Sequence, residues 1–336
     1  TGLTDDEIAA AVPMWDQIQS GEWTGTNWLD AMKVDNAGQQ SHSLSIAGGS
    51  DRSTYSLGFS YISQEPTIGV NRDDVKQEYE RYTARINSEY SLIKHNDRDI
   101  LKFGETLTMA FVNSTGMNQG TGNMYWNDVR NALTASPLFP VYESEDKFGW
   151  PVLLDTDETN PIAEMYYLRS FVNSRNYSAR GNLYLILEPI KNLRFKSTFG
   201  YAFNGWNSRE YVPEYQLNEK SYAKTDRVSQ GAGNGLQWSW DNTLSYDFTL
   251  FDKHDFNVLI GTSMEKWGLG ADVNGTNRDS EFSDFEHAYL SNVKTVSSEY
   301  TSVSGAPWEI GSLVSFFGRL NYDYEGRYMG ICRYAW

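Results

Sequence analysis

Hydrophobic and polar residues alternate one by one along most of this chain. Between Trp238 and Leu250 the even positions are largely aromatic or aliphatic, and the odd positions are small or polar. Successive side chains of a β-strand point to opposite faces, so this segment predicts a strand with one apolar and one polar face. The same alternation recurs at 54–61 and 82–92. Many such segments of roughly ten residues, rich in aromatics and joined by turns, are typical of transmembrane β-barrels.

The alternation predicts about ten antiparallel strands in one continuous sheet. Their approximate bounds are 41–48, 52–63, 79–92, 99–113, 176–188, 192–204, 236–250, 254–268, 312–323 and 327–335. Short connections at 48–51, 94–98, 189–192, 251–254 and 324–326 alternate with long ones at 64–78, 114–175, 205–235 and 269–311. Outer-membrane barrels have short periplasmic turns and long external loops. We therefore expect an all-β fold, an antiparallel transmembrane β-barrel wall with its long loops at one end.

Short helices are expected within the long loops. Thr4 precedes three acidic residues and an apolar run, the pattern of a helix N-terminus. Residues 126–133 have the composition of two helical turns that end before Pro137. Residues 1–40 are interpreted as an external loop segment with a short helix, preceded by a strand that this sequence lacks.

Composition narrows the class of protein. Only 40% of the 336 residues are hydrophobic, and no window approaches the eighteen apolar residues of a transmembrane helix. Aromatic residues make up 15%, which suits the aromatic girdles of a membrane barrel. The formal net charge of −16 argues against nucleic acid as a partner. The single cysteine, Cys332, allows no internal disulfide.

Seven short stretches occur in the order found in a known family. They are Thr26–Asp30, Ser43–Ser50, Arg81–Asn87, Leu101–Glu105, Ser136–Tyr142, Asn160–Ala163 and Phe316–Tyr322. Through them the chain resembles the starch-utilisation-type (SusC/RagA-like) TonB-dependent outer-membrane transporters of Bacteroidetes. The resemblance covers nearly the whole chain, although each stretch alone has ordinary strand or turn chemistry.

The resemblance implies that 41–336 is a partial barrel of about ten strands from the 22-stranded class, without the plug domain. It also implies the bacterial outer membrane, its lipid, and active uptake of an oligosaccharide or peptide. The implied partners are a SusD-like surface lipoprotein and the TonB complex, which would be reached through the missing N-terminal part. No cofactor is expected. After Tyr328 the sequence departs from the family pattern, so we expect a truncated or frame-shifted end, with a natural aromatic-terminated strand as the alternative.

Candidate catalytic and metal sites are weak. Asp155, Asp157 and Asn160 alternate as Ca²⁺ ligands would, but an exposed acidic loop is the favoured interpretation. The carboxylates between Asp279 and Glu286, near His287, suggest acid–base chemistry, yet exposed charge explains them better. The sequence therefore predicts a protein that is not an enzyme.

Aromatic residues in the long loops are the better binding candidates, because flat apolar rings stack on sugars and peptides. The candidates are Trp126, Trp150, Tyr166, Tyr167 and Trp206. Packing of the loops against one another is the alternative for each of them. The polar faces also carry cations that a wide barrel would direct into its lumen, namely Arg85, Arg180, Arg194, Lys196 and Arg319.

The sequence thus predicts part of an outer-membrane importer for a glycan or peptide. Two alternatives stay open. One is a passive, porin-like barrel, and the other is a soluble all-β carbohydrate-binding module with its apolar faces packed as a sandwich.

Overall fold

Long β-strands dominate the computed structural model, which describes residues 4–12, 14–96, 98–116, 127–145, 147–150 and 157–336. The strands are β1 (Gln39–Ser50), β2 (Ser53–Gln64), β3 (Glu78–His95), β4 (Arg98–Thr115), β5 (Tyr142–Ser144), β6 (Lys147–Phe148), β7 (Val172–Ile190), β8 (Leu193–Val212), β9 (Tyr215–Gln216), β10 (Tyr222–Ala223), β11 (Arg227–Leu250), β12 (His254–Arg278), β13 (Ser302–Pro307), β14 (Gly311–Tyr324) and β15 (Tyr328–Ala335). The helices are α1 (Asp5–Ala11), α2 (Trp15–Ser20), α3 (Trp28–Ala31), α4 (Asp128–Thr134) and α5 (Pro161–Arg169).

Ten of the strands form one antiparallel sheet and follow one another in chain order. That order is β1-β2-β3-β4-β7-β8-β11-β12-β14-β15, with β13 paired to the far half of β12. The predicted all-β sheet of about ten strands is therefore confirmed. Within the described residues, β1 pairs only with β2 and β15 only with β14, so these two strands are the edges of the sheet.

Short and long connections alternate along this sheet and therefore lie at opposite ends of the strands. Turns of a few residues join β1 to β2, β3 to β4, β7 to β8, β11 to β12 and β14 to β15. We call this side the turn end. The segments after β2, β4, β8 and β12 are long and define the loop end. This arrangement agrees with the predicted separation of turns from loops.

The strands continue further towards the loop end than the sequence predicts. β8 extends to Val212 and β11 begins at Arg227, so the predicted loop 205–235 shrinks to 213–226. Glycine and asparagine are disfavoured in strands, which is why Gly231–Gly235 has the composition of a loop. Uninterrupted pairing of this segment with β8 on one side and β12 on the other overrides that local preference.

The buried core lies mainly among the loops rather than on the sheet. One cluster, which we call the loop core, contains Trp28, Met32, Val70, Ala132, Phe139, Phe148, Ile162, Ala163, Met165 and Leu217. It brings together α3, α4, α5 and the segments after β2 and β8. The predicted helices are present: Thr4 and Glu7 form a capping box at α1, and Asn127 caps α4. The segments at the loop end thus form a packed layer with its own hydrophobic core, which we call the loop layer.

Candidate functional site

The sheet has one apolar and one polar face along its whole width. Cross-strand partners share a face, and the register joins Leu57 to Ile86 and Ile86 to Leu107 on the apolar side. Apolar-face side chains are widely exposed, as in Phe59 at 50% and Trp240 at 45%. The described strands therefore do not pack face to face as the soluble sandwich alternative requires.

Two rows of contacting aromatic rings lie on the apolar face, one near the loop end of β1 to β7 and the other near the turn end of β11 to β14. Near the loop end the contacting rings belong to His42, Tyr61, Tyr82, Phe111 and Tyr177, with centroids 4.8 to 6.3 Å apart. Near the turn end they belong to Tyr246, Phe248, Phe256, Tyr322, His254 and Tyr324. Aromatic rings near each end of strands with an exposed aliphatic face suit a sheet that meets two membrane–water interfaces.

The five cations predicted to line a lumen lie on the opposite, polar face. Arg85 pairs in register with Gly58 and Thr108, and Arg180 with Thr108 and Ala202. Nearer the turn end, Arg194 and Lys196 face Ser245 and Thr243 of β11. Arg319 lies opposite Leu259 of β12. All five side chains are exposed, so this wall presents cations to whatever fills the space beside it.

Some of these cations have nearby partners on the same wall. The Lys196 ammonium lies 4.9 Å from the centre of the Tyr184 ring, and Arg194 lies 3.8 Å from Glu188. Arg319 donates a hydrogen bond of 3.3 Å to Asn257. These contacts are exposed and individually weak, and Asp241 and Glu265 lie on the same face, so the wall carries charges of both signs.

Tyr166 and Tyr167 of α5 are packed into the loop layer. The Tyr166 hydroxyl donates to Asp74 at 2.6 Å, and the Arg72 guanidinium lies 4.8 Å from the centre of the Tyr166 ring. Tyr167 stacks with Tyr215 at a centroid distance of 6.1 Å. Burial first, and then the hydrogen bond to Asp74, raise the pKa of the Tyr166 hydroxyl. Both tyrosines therefore make the loop-packing contacts of the alternative interpretation.

The remaining aromatic candidates have different surroundings. Trp150 is half-buried, and its backbone N–H donates to Glu143 at 3.3 Å. Trp206 lies in β8 rather than in a loop, on the polar face opposite Asn176 and Gly233. Trp126 lies outside the described residues.

The comparisons identify proteins that are similar to this chain in sequence or in structure. The TonB-dependent receptor P3 of Formosa agariphila is 24% identical, and the match covers 97% of this chain and 31% of that receptor. SusC of Bacteroides thetaiotaomicron is 22% identical, with 99% of this chain and 32% of SusC covered. The solved RagAB peptide transporter superposes with a TM-score of 0.71 at 17% identity, covering 99% of this chain and 37% of that one. The chain is homologous to part of the SusC-type TonB-dependent receptors.

This SusC-like chain spans about a quarter to a third of the length of the receptors it matches. No family model matches it. Its relatives are named as receptors and transporters, and SusC-type and RagAB proteins are outer-membrane proteins. Within the described residues, no helix is long and apolar enough to span a membrane.

The weak Ca²⁺ site is not assembled in the described part of the SusC-like chain. Asn160 is fully buried as the N-cap of α5, where its Oδ1 accepts from Ile162 and Ala163 and its Nδ2 donates to Val141 and Gly149. Those bonds leave its side chain turned into the loop core instead of towards a cation. Asp157 is exposed and lies 3.4 Å from Lys220, whereas Asp155 lies outside the described residues.

The exposed carboxylates of the segment after β12 have structural roles. Asp284 accepts from the His287 backbone N–H at 2.9 Å and lies 2.8 Å from Nδ1 of the same residue. These bonds, the backbone one first, lower the pKa of the Asp284 carboxyl. Asp279 pairs with Lys294 at 3.0 Å. These contacts close loop turns at the surface, where the side chains of Asp284 and His287 are both exposed.

Sequence reasoning missed two aromatic residues on the polar face, Trp267 and Trp308. Trp267 ends the alternating part of β12, and Trp308 follows β13, in a segment that the sequence assigns to a loop. The only sequence signal was their proximity to Gly268 and Gly311, because a glycine leaves room for a ring to lie against the backbone.

Proposed function

We propose that this chain is part of the barrel wall of an outer-membrane importer that takes up a glycan or peptide fragment. One observation carries the proposal: a single antiparallel sheet exposes an aliphatic face with a row of aromatic rings near each end of its strands, and its other face is polar and charged. A soluble protein does not expose an apolar surface of that extent, whereas a lipid bilayer requires one.

In this proposal the polar face is turned towards the lumen. Arg85, Arg180, Arg194, Lys196 and Arg319 would line it and contact a plug domain, where charge is tolerated because the lumen is polar. The same five charges on the lipid side would each cost about 2–4 kcal/mol at mid-depth. The partners would be outer-membrane lipid, a TonB complex that powers transport and a SusD-like lipoprotein, as the similarity to SusC and RagAB suggests.

The loop layer would form the outward surface. Its core holds Tyr166 and Tyr167, which remain partly exposed, and Trp150 lies half-buried in the same long connection. In this proposal the protein binds and passes its substrate without chemical change.

The test uses the complete transporter that contains this chain, expressed in an outer membrane. We expect heat-modifiable mobility on a gel and substrate uptake that stops when TonB is deleted. Uptake that persists without TonB would favour a passive porin. Fractionation with soluble proteins, without detergent, would contradict the membrane assignment.

A further inference from the structure

A tryptophan of β8 lies flat against the backbone of the neighbouring strand on the polar face. The Trp206 ring crosses Gly231 and Gly233 of β11. A Cβ added at Gly233 would lie 2.7 Å from Trp206 Nε1, and one at Gly231 would lie 2.9 Å from its Cζ3. Because one ring face rests on the backbone, the other is turned away from the sheet.

Two further tryptophans also lie with their rings against the backbone of a glycine. A Cβ at Gly235 would overlap the ring of Trp308, and a Cβ at Gly311 would overlap the ring of Trp267. Trp308 and Trp267 remain 37% and 43% exposed. Neighbouring strands are about 4.8 Å apart, so β11 and β14 are separated across the sheet by two strand spacings, roughly 10 Å.

Hydrogen-bonding side chains lie beside these rings on the polar face. The register aligns four residues across four strands, from β7 to β12. We call them the polar row, and they are Asn182, Gly200, Ser239 and Glu265. A Cβ at Gly200 would lie 2.7 Å from Ser239 Oγ and 2.8 Å from Asn182 Oδ1, so both groups lean over this glycine. Together with Gln237 and Trp267 they surround a hollow of about 490 Å³.

We propose that Trp206, Trp267 and Trp308 with this polar row form a binding surface for a neutral oligosaccharide. The proposal rests on the proposed function, in which the polar face lines the transport path. Flat apolar ring faces stack on the C–H faces of pyranose rings, while amide, hydroxyl and carboxylate groups bond their hydroxyls. A hollow of this size holds a few sugar rings.

A peptide fits this surface less well. The backbone groups of β8, β11 and β12 are already paired with neighbouring strands, so an extended peptide finds no free edge to join. The hollow is lined by one carboxylate and one ammonium, Glu265 and Lys266, so its two charges offset each other and give a sulfated or uronic sugar no net attraction. These features favour an uncharged glycan over a peptide and over a sulfated or uronic sugar.

The test measures binding to the purified complete transporter by calorimetry. The probes are neutral malto-, cello-, xylo- and manno-hexasaccharides, a sulfated hexasaccharide and a pool of twelve-residue peptides. We expect at least one neutral hexasaccharide to bind. Trp206→Ala, Trp267→Ala and Trp308→Ala should each weaken that binding by about tenfold or more. Trp267→Phe keeps a flat ring and should stay within about threefold of wild type.

Trp240→Ala is the matched control, because it removes an indole of similar exposure from the apolar face. Its affinity should equal that of wild type. Gly200→Val fills the hollow without removing a ring and should also abolish binding, which keeps the test decisive if an indole variant fails to fold. Heat-modifiable gel mobility verifies folding of each variant.

The proposal is overturned if no neutral hexasaccharide binds, if only the peptide pool or the sulfated sugar binds, or if folded Trp206→Ala and Trp267→Ala variants retain wild-type affinity. In each case TonB-dependent uptake by the wild-type transporter would still support the proposed function. Loss of TonB dependence in wild type, with sugar binding intact, would contradict the import proposal alone.

Discussion

Arg209 of β8 is one of the side chains that hold the segment after β12 against the sheet. The Arg209 guanidinium lies 4.2 Å from the ring centres of both Phe285 and Tyr289. Its Nη1 also donates to the backbone carbonyls of Phe285, Glu286 and Ala288, the first at 2.6 Å. Only a planar guanidinium both stacks on rings and reaches several carbonyls in this way.

We expect Arg209→Lys to release this segment, because an ammonium keeps the charge but loses the stacking and the fork of donors. The local cost should be about 2 kcal/mol, so amide hydrogen exchange at 285–290 should accelerate by about thirtyfold. Arg227→Lys is the control, since its ion pair with Glu210 at 3.1 Å is partly exposed and contributes little. Equal exchange rates in the two variants would contradict the role given to Arg209.

Asp74 makes the loop layer sensitive to acid. Burial opposes its ionisation, but the hydrogen bonds from Arg72 and Tyr166 outweigh that effect and hold the pKa of Asp74 below 3.8. A carboxyl whose folded-state pKa is depressed stabilises the fold above its unfolded-state pKa. That contribution is lost as the pH falls through the lower, folded-state value.

The loop layer should therefore keep its contacts at pH 6 and loosen as the pH falls below the ordinary pKa of an aspartate. Protection of α5 amides from hydrogen exchange is the measurement. Asp74→Asn should remove much of the pH dependence attributed to this group, whereas Asp73→Asn, at the exposed neighbouring position, should leave it in place. An unchanged acid response in Asp74→Asn would refute the assignment.

At the scale of strands and helices, the alternation of apolar and polar residues was enough to predict a strand wherever apolar side chains occupy every second position. Strand β2, with Tyr55, Leu57 and Phe59 on one face, is predicted to within a residue or two at each end. The same rule fails at Gly231–Gly235, where the polar-face positions carry no side chain of their own. There the rings of Trp206 and Trp308, from distant parts of the sequence, occupy the space, and no local pattern reveals them.

The two faces of β11 should respond oppositely to a charge. Leu244 lies on the apolar face, and its neighbour Thr243 lies on the polar face beside Lys196. In the complete transporter, Leu244→Lys should cost about 2–4 kcal/mol near mid-depth and reduce the amount inserted in the membrane. Thr243→Lys, the same new residue one position earlier, should insert almost normally.

Quantitative blotting of the outer-membrane fraction, with heat-modifiability as the test of folding, compares the two variants. Equal insertion would mean that lipid does not contact the apolar face. Reduced insertion of Thr243→Lys alone would mean that the two faces are assigned the wrong way round.

At the scale of the whole molecule, the sheet and the order of its strands were predictable, and the arrangement of the loop layer was not. Turn chemistry and alternating polarity act locally, so they can be seen in the sequence. The loop core instead joins Trp28 to Phe139, which are far apart in the chain and 5.0 Å apart between ring centres. For the same reason Tyr166 and Tyr167 were recognised as aromatic loop residues, while their packing partners were not.

The open edges of the sheet lead to the last prediction. Within the described residues β1 and β15 each leave one side without a neighbouring strand, and an unpaired edge exposes a row of N–H and C=O groups. In hydrocarbon those groups have no water to bond, and in water the apolar face is too large for a soluble monomer.

We therefore expect the 336-residue chain, expressed alone and refolded in detergent, to aggregate or stay unfolded. Size-exclusion chromatography and gel mobility before and after heating are the measurements. Joining the same residues to the rest of a complete transporter should restore a heat-modifiable, monodisperse species, because further strands then pair with β1 and β15. A folded, monodisperse and heat-modifiable monomer from the isolated chain would instead show that these strands close by themselves, and a small porin-like barrel would become the better description.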